Sequence, residues 1–404
     1  MQRHFRPNKV NILNQKSSKR HRPKYDRKKP TLENVFSQLF TFFQLMGVIL
    51  TPKESRPKKA IVRYYIWKII SYTINFLLVW HCCFCITVFI LAGDSRREIV
   101  TLTHIFLIVN FRIFLLRALK RISHLIHVVL NISGNFLKSK EVKRIQLINC
   151  TIFLVCFILT FIFTTTNLTK GNLGQILIPL IQSSNGIVKF ILSYVLRICF
   201  VAGMNFYFNA YVLMGLVVIL LYDVRCALLC AFENISVALK KSETASEILK
   251  TIRLYADVIQ VMEMLEDMLS LPLYFHGICC AIGLYRVGYA VAFLPQTKVL
   301  FYVHCCTFLG VSLAMLVAVI MMASEITETF HTVRQFMISK QSDLEVEKKL
   351  SELRWRQKDI NRKIHLSFWD TYVIDRSLVW KTLKTLFEYG LLVGTLGRVS
   401  DKTV

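Results

Sequence analysis

The sequence predicts an all-α membrane protein with seven transmembrane helices, a cytoplasmic N-terminus, an extracellular C-terminus and long cytoplasmic helical extensions. Three observations lead there. Hydrophobic residues fill 54% of the 404 positions, with Gly (15) and Pro (8) scarce, and mean hydropathy is +0.46. Several apolar runs approach or exceed the ~18 residues that mark a spanning helix. Basic residues collect between alternate runs, the pattern of cytoplasmic loops.

Residues 1–65 form a basic cytoplasmic region in which the apolar run Val35–Leu50, too short for a span, predicts an interfacial or re-entrant helix. Spans one to six and the helix between the fourth and fifth occupy residues 66–326. The first span is expected at about 66–91, the second at 101–119 with Arg112 inside it, and the third at 147–166. A polar loop, Asn167 to Asn185, follows. The fourth apolar segment, 187–221, is longer than a bilayer requires and predicts a helix that projects into the cytoplasm. A cytoplasmic helix at about 244–270 opens on the capping box Thr244/Glu247 and carries the stripe Ile248, Ile252, Tyr255, Ile259, Met262, Leu265 and Leu269. Pro272 marks the start of the fifth span, which ends near Pro295, and the sixth runs from about 299 to 322. A second cytoplasmic helix, within 327–365, is expected to open on Ser342/Glu345 and to use Val346, Leu350, Leu353, Ile360 and Ile364. The last helix takes 366–397, and 398–404 is an extracellular tail.

Charge fixes the orientation. The inner segments of this arrangement hold 16, 7, 5 and 9 Lys/Arg and the outer ones 2, 1, 1 and 2, which the positive-inside rule selects. The sequon at Asn167 then falls in an outer loop, where it could be glycosylated, while those at Asn131 and Asn234 fall inside. The net charge of +26 is thus accounted for by topology and by anionic lipid facing the basic tail, with no nucleic-acid partner implied. The first 34 residues contain eleven Lys/Arg and no apolar core, so no cleavable leader is expected. The twelve cysteines lie within or beside the apolar runs and read as small buried hydrophobes, without metal or disulfide pairing. No phosphate loop, H-E-x-x-H or G-x-S-x-G occurs, so no enzyme and no cofactor are expected.

The last apolar stretch, Phe368 to Leu396, has helical period in Val373, Leu378, Leu383, Leu386 and Leu391, yet contains Asp375, Arg376, Lys381, Lys384 and Glu388. Charges at that density face protein or water rather than lipid. The stretch resembles the C-terminal signature of insect gustatory receptors: Ile374-Asp375 before an apolar helix, then Tyr389. It departs in Glu388, which stands where that family has threonine, and in Thr395-Leu396, which replace a Gln-Phe pair. The resemblance implies a ligand-gated cation channel for small-molecule tastants. It implies a homo- or heterotetramer with other gustatory receptors, the last helices lining a shared pore, in the plasma membrane of gustatory neuron dendrites. Glu388, Tyr389, Leu392, Thr395 and Leu396 would then form pore and gate, although Glu388 reads equally as an i,i+4 partner of Lys384. A modulatory co-receptor that needs partners to conduct is the alternative, and a secondary transporter a further one. A polar-faced helix shared by four copies also suits an aqueous axis on physical grounds. For the ligand pocket, the outer halves of the spans offer His104, Phe161, Phe163, Tyr194, Tyr285, Tyr289, Tyr302 and His304; interfacial tyrosine belts and core packing account for such residues too. Arg112, Arg197 and Arg286, cations within spans, need partners.

Overall fold

The computed structural model describes residues 32–46, 58–92, 95–133, 139–170, 181–241, 245–293, 299–345, 365–368, 372–385 and 387–388. Among the described residues the long helices succeed one another as α1 (Leu32–Leu45), α2 (Lys58–Ala92), α3 (Ser95–Ser133), α4 (Ser139–Lys170), α5 (Gly186–Lys241), α6 (Ala245–Phe293) and α7 (Val299–Glu345). A two-stranded antiparallel hairpin, β1 (Ser367–Phe368) with β2 (Tyr372–Val373), precedes a last helix over residues 377–385.

Among the described residues, five helices are long and apolar enough to cross a membrane: α2, α4, α5, α6 and α7. The second expected span lies within α3, whose apolar run is broken by Arg112 and Arg117. α5 is the axis of the bundle. It packs against α1, α2, α3, α4, α6 and α7, and every residue from Asn209 to Leu221 is buried. Its 56 residues make about 84 Å of helix, far more than the ~30 Å of hydrocarbon. The excess is buried by protein. Phe232 of α5, Tyr255 of α6 and Phe330 of α7 meet in one aromatic cluster, Tyr255 and Phe330 stacked at 6.0 Å between centroids. Arg225 of α5 forks onto Glu325 of α7 with two bonds of 2.7 Å. The apolar stripe expected on the 244–270 helix is buried here, from Ile252 through Tyr255, Ile259, Met262 and Leu265 to Leu269.

By contrast α2 turns Ile66, Ile69, Tyr72, Phe76 and Val79 outward, an apolar face suited to lipid. α1 is short and packs inward, with Val35, Phe36, Leu39 and Phe43 buried and Phe42 stacked on Phe153 of α4 at 4.2 Å.

Four expectations are corrected. Pro272 does not separate a soluble helix from a span, because α6 runs through it without interruption; Pro272 is buried, and packing around it stabilises the helix despite the missing N–H. Ser342 does not start a helix, since α7 continues through it to Glu345; a Ser-x-x-Glu pattern caps only where the preceding residue leaves helical geometry. The rest of that expected helix, with Val346, Leu350, Leu353, Ile360 and Ile364, lies outside the described residues. Asn167 sits in the last turn of α4 rather than in a loop, because the threonine-rich end of the span still holds the helical ladder. Finally, the last helix does not begin near residue 366. Ser367, Phe368, Tyr372 and Val373 are aromatic, β-branched or small and pair as strands, so the helical spacing of Val373 with Leu378 was coincidental.

Candidate functional site

Three features bear on function: a cavity, a buried arginine joint and the hairpin that leads into the last helix.

The cavity is lined by His104 of α3, Ala210, Tyr211 and Met214 of α5, Cys279 and Cys280 of α6, and Ser312 and Met315 of α7, and its free volume is about 10 Å³. That is room for about one water, far below the ~300–1,000 Å³ of ligand pockets, so a small molecule would enter only as the walls move apart. Its wall is mostly apolar and soft, two thioethers and two thiols. An imidazole, a phenol and a hydroxyl supply a few directed polar groups, the pattern of a site that orients a small amphipathic ligand. Beneath it His276, fully buried, meets Phe111 edge-on at 6.1 Å and has its Nδ1 3.9 Å from Cys280 Sγ.

Of the residues expected at a pocket, His104 borders this cavity. Phe161 and Tyr194 face outward, 54% and 59% exposed, and Tyr285 is half-buried near the end of α6. The side chains of Phe163, Tyr289, Tyr302 and His304 lie outside the described residues, as does that of Asn167. Tyr211, Met214, the cysteine pair, Ser312 and Met315 were missed. In a span that is apolar all round, periodicity marks no inward face; the signal that could have found them is Ser312 and His104, polar groups that must turn away from lipid.

The arginine joint is built around Arg112 of α3. Arg112 is buried, 2% exposed, and among the described residues no ion pair holds it. Instead its Nη1 donates to Asn209 Oδ1, its Nε to Asn75 Oδ1 at 3.1 Å, and its Nη2 reaches the Met46 carbonyl at 3.4 Å. Asn209 Nδ2 donates to the Asn205 carbonyl at 2.7 Å, and Asn205 Nδ2 to the Ile74 carbonyl at 2.9 Å. One cation thus ties α1, α2, α3 and α5. Arg197 is exposed, and the side chain of Arg286 lies outside the described residues. A second buried polar contact joins α4 to α5, Asn149 Nδ2 donating to both carboxyl oxygens of Asp223 at 3.0 and 3.1 Å.

The hairpin is anchored at several points. The Ser367 N–H donates to Glu266 Oε2 at 2.9 Å and its hydroxyl to Glu266 Oε1. Leu366 and Ile374 are buried, and the Ile374 N–H donates to the Leu366 carbonyl at 2.9 Å. Arg376 pairs with Glu328 of α7 at 2.6 Å. Asp375 then caps the last helix, its Oδ1 accepting from the Leu378 N–H at 2.9 Å and from the Ser377 hydroxyl at 2.7 Å. The Ser377 hydrogen bond holds the Asp375 carboxyl below the ordinary carboxylate range. A depressed folded value means that the cap contributes fully above the unfolded value of about 3.9 and is lost as pH falls through the folded one. Asp375→Ala is expected to cost about 1 kcal/mol and to raise hydrogen exchange across 377–385 at neutral pH. Asp375→Asn should keep the cap and remove its acid sensitivity, read by the same exchange at low pH.

Beyond the cap, Lys384 Nζ lies 3.7 Å from Glu388 Oε1, both exposed. Trp380 and Phe387 are 74% and 71% exposed. Leu378 and Val379 pack partly against the core, while Trp380, Lys381, Lys384 and Thr385 are left exposed within one chain. Tyr389, Leu392, Thr395 and Leu396 lie outside the described residues.

No protein-family model matches the chain, and no curated protein matches it in sequence. Solved structures do match. The insect olfactory receptor OR5 from Machilis hrabei superposes with a TM-score of 0.68 over 90% of this chain and 98% of that one, at 11% identity. The same receptor in complex with eugenol gives 0.67, 10% identity and the same coverage. The chain therefore has the fold of an insect olfactory receptor over nearly its whole length.

Proposed function

We infer that the chain is a chemoreceptor subunit of the insect type, a ligand-gated cation channel in the plasma membrane that opens when a small molecule fills the cavity bordered by His104 and Ser312. The observation that carries this is the fold, shared with a receptor whose structure is known with eugenol, and the small void walled by α3, α5, α6 and α7 is where a ligand would part the helices. The exposed Trp380 and Phe387 support assembly, because an uncovered aromatic helix in a membrane protein calls for further copies. Four last helices around a wet axis, in a homo- or heterotetramer, would supply that cover and give the charges of this helix an aqueous face. Glu388, Tyr389, Leu392, Thr395 and Leu396 are assigned to the conduction path. The Ile374-Asp375 and Tyr389 signature favours taste over smell, and with it the dendrites of gustatory neurons. Glu388 and Thr395-Leu396, which depart from that signature, favour a second reading as a modulatory subunit that conducts only with partners.

The test is whole-cell recording from cells expressing the chain, alone and with candidate partner subunits, during application of eugenol and other small amphipathic compounds. Wild type should give evoked inward current, and Ser312→Trp, which fills the cavity, should abolish it with surface labelling preserved. Evoked current that is untouched in Ser312→Trp would remove the cavity from the account.

A further inference from the structure

We propose that the Phe368 ring, seated on Gly277, is the contact through which occupancy of the cavity is communicated to the last helix. The inference rests on the reading of that cavity as the ligand site. Gly277 lies on the same turn of α6 as Cys279 and Cys280, which wall the cavity. A Cβ at Gly277 would lie 3.6 Å from Phe368 Cζ and 4.0 Å from Leu316 Cδ1. The ring therefore rests on bare α6 backbone, beside the α7 residue that follows the cavity-lining Met315. Both walls of the seat are thus extensions of walls of the cavity, one residue to three residues along.

What the ring is attached to completes the path. Phe368 pairs with Tyr372 across the hairpin, β2 leads directly to Ile374, and Asp375 caps the last helix. The hairpin has a fixed end, because Glu266 takes both the N–H and the hydroxyl of Ser367 and Glu328 holds Arg376. Close-packed interiors pass small displacements on rather than absorb them. A ligand that spreads α6 from α7 at Cys279 and Met315 would widen the seat, let the ring drop, and turn the hairpin about its anchors. Sub-ångström shifts are amplified in this way when they act on a hinged element.

The test reads the transmission without needing current. Two variants fill the cavity from different helices, Ser312→Leu from α7 and Met214→Phe from α5, so that one remains if the other fails to fold. Hydrogen exchange is measured on the purified full chain in lipid nanodiscs, across peptides covering 374–385. Each filling should change exchange there several-fold, and in a Phe368→Ala background the same fillings should leave it unchanged. Phe368→Leu, which keeps an apolar occupant on the seat, should restore the response. Equal changes with and without the ring, or no change from either filling, would overturn the proposal. Whole-cell currents from the same variants separate the two readings. Transmitted exchange with no current under any condition would remove the channel and leave the contact standing; evoked current without transmission would do the reverse.

Discussion

Truncating Asn209 to alanine is expected to lower the stability of the bundle by about 1.5–3 kcal/mol, the cost of taking one hydrogen-bond acceptor from a buried charge. The magnitude follows from what surrounds Arg112. The residue is 2% exposed, and its acceptors are two asparagine side chains and one carbonyl, the last at a long 3.4 Å. Removing Asn209 deletes the amide oxygen that faces the guanidinium and also the donor that reaches the Asn205 carbonyl at 2.7 Å. Arg112→Met removes the charge and fills part of the volume, so its cost is expected to be smaller. In the double variant Asn209→Ala no longer strands a cation. The two single losses should therefore exceed the double loss, by about 0.5–3 kcal/mol for groups in one network. Thermal melting of the detergent-solubilised chain, followed by size-exclusion of the folded peak, gives all four corners of this cycle. Additive losses would mean that the joint does not act as a unit.

The second large effect is expected at Gly215. A Cβ there would lie 2.6 Å from Cys156 Sγ, with Cys156 Cβ next at 3.6 Å and Ile152 Cγ2 at 3.8 Å. Small residues at helix crossings let backbones approach in membranes, and α4 and α5 use this one. Cys156 is itself buried, so its sulfur has little room to swing aside. Gly215→Ala should cost about 1–3 kcal/mol by overpacking. The partner change is diagnostic, because with Cys156→Ala the nearest atom becomes a Cβ at 3.6 Å, an ordinary contact. The double variant should melt close to Cys156→Ala alone. A double variant as unstable as Gly215→Ala would place the strain in the backbone crossing rather than at the sulfur.

The membrane class and the long projecting helices were legible because they depend on totals and run lengths: an apolar segment beginning at Ile187 and continuing past Asp223 can only be a helix longer than the bilayer. The stripe from Ile252 to Leu269 was legible for the same kind of reason, since a 3.6-residue period separates core from surface wherever the exposed face is polar. Where lipid takes the place of water, that contrast disappears. His104 could be picked out as polar within a span, while Met214, Met315 and the Cys279–Cys280 pair look like any lipid-facing residues until α5, α6 and α7 are set side by side. The hairpin was hidden by local ambiguity: Phe368, Tyr372 and Val373 satisfy strand and helix patterns alike over so few residues, and the choice was made by Glu266, distant in sequence. Arg112 was flagged by its charge, but its partners Asn75 and Asn209 carry no mark of their own.

The most direct test of the central claim, that a small molecule in the cavity opens a cation path formed by this chain, is to reconstitute the purified chain alone into planar bilayers. Small aromatic alcohols are added under a salt gradient. The account predicts evoked current whose reversal potential follows the cation gradient. Compounds that raise the melting temperature of the chain yet evoke no current at any concentration would contradict it and leave the modulatory subunit as the reading.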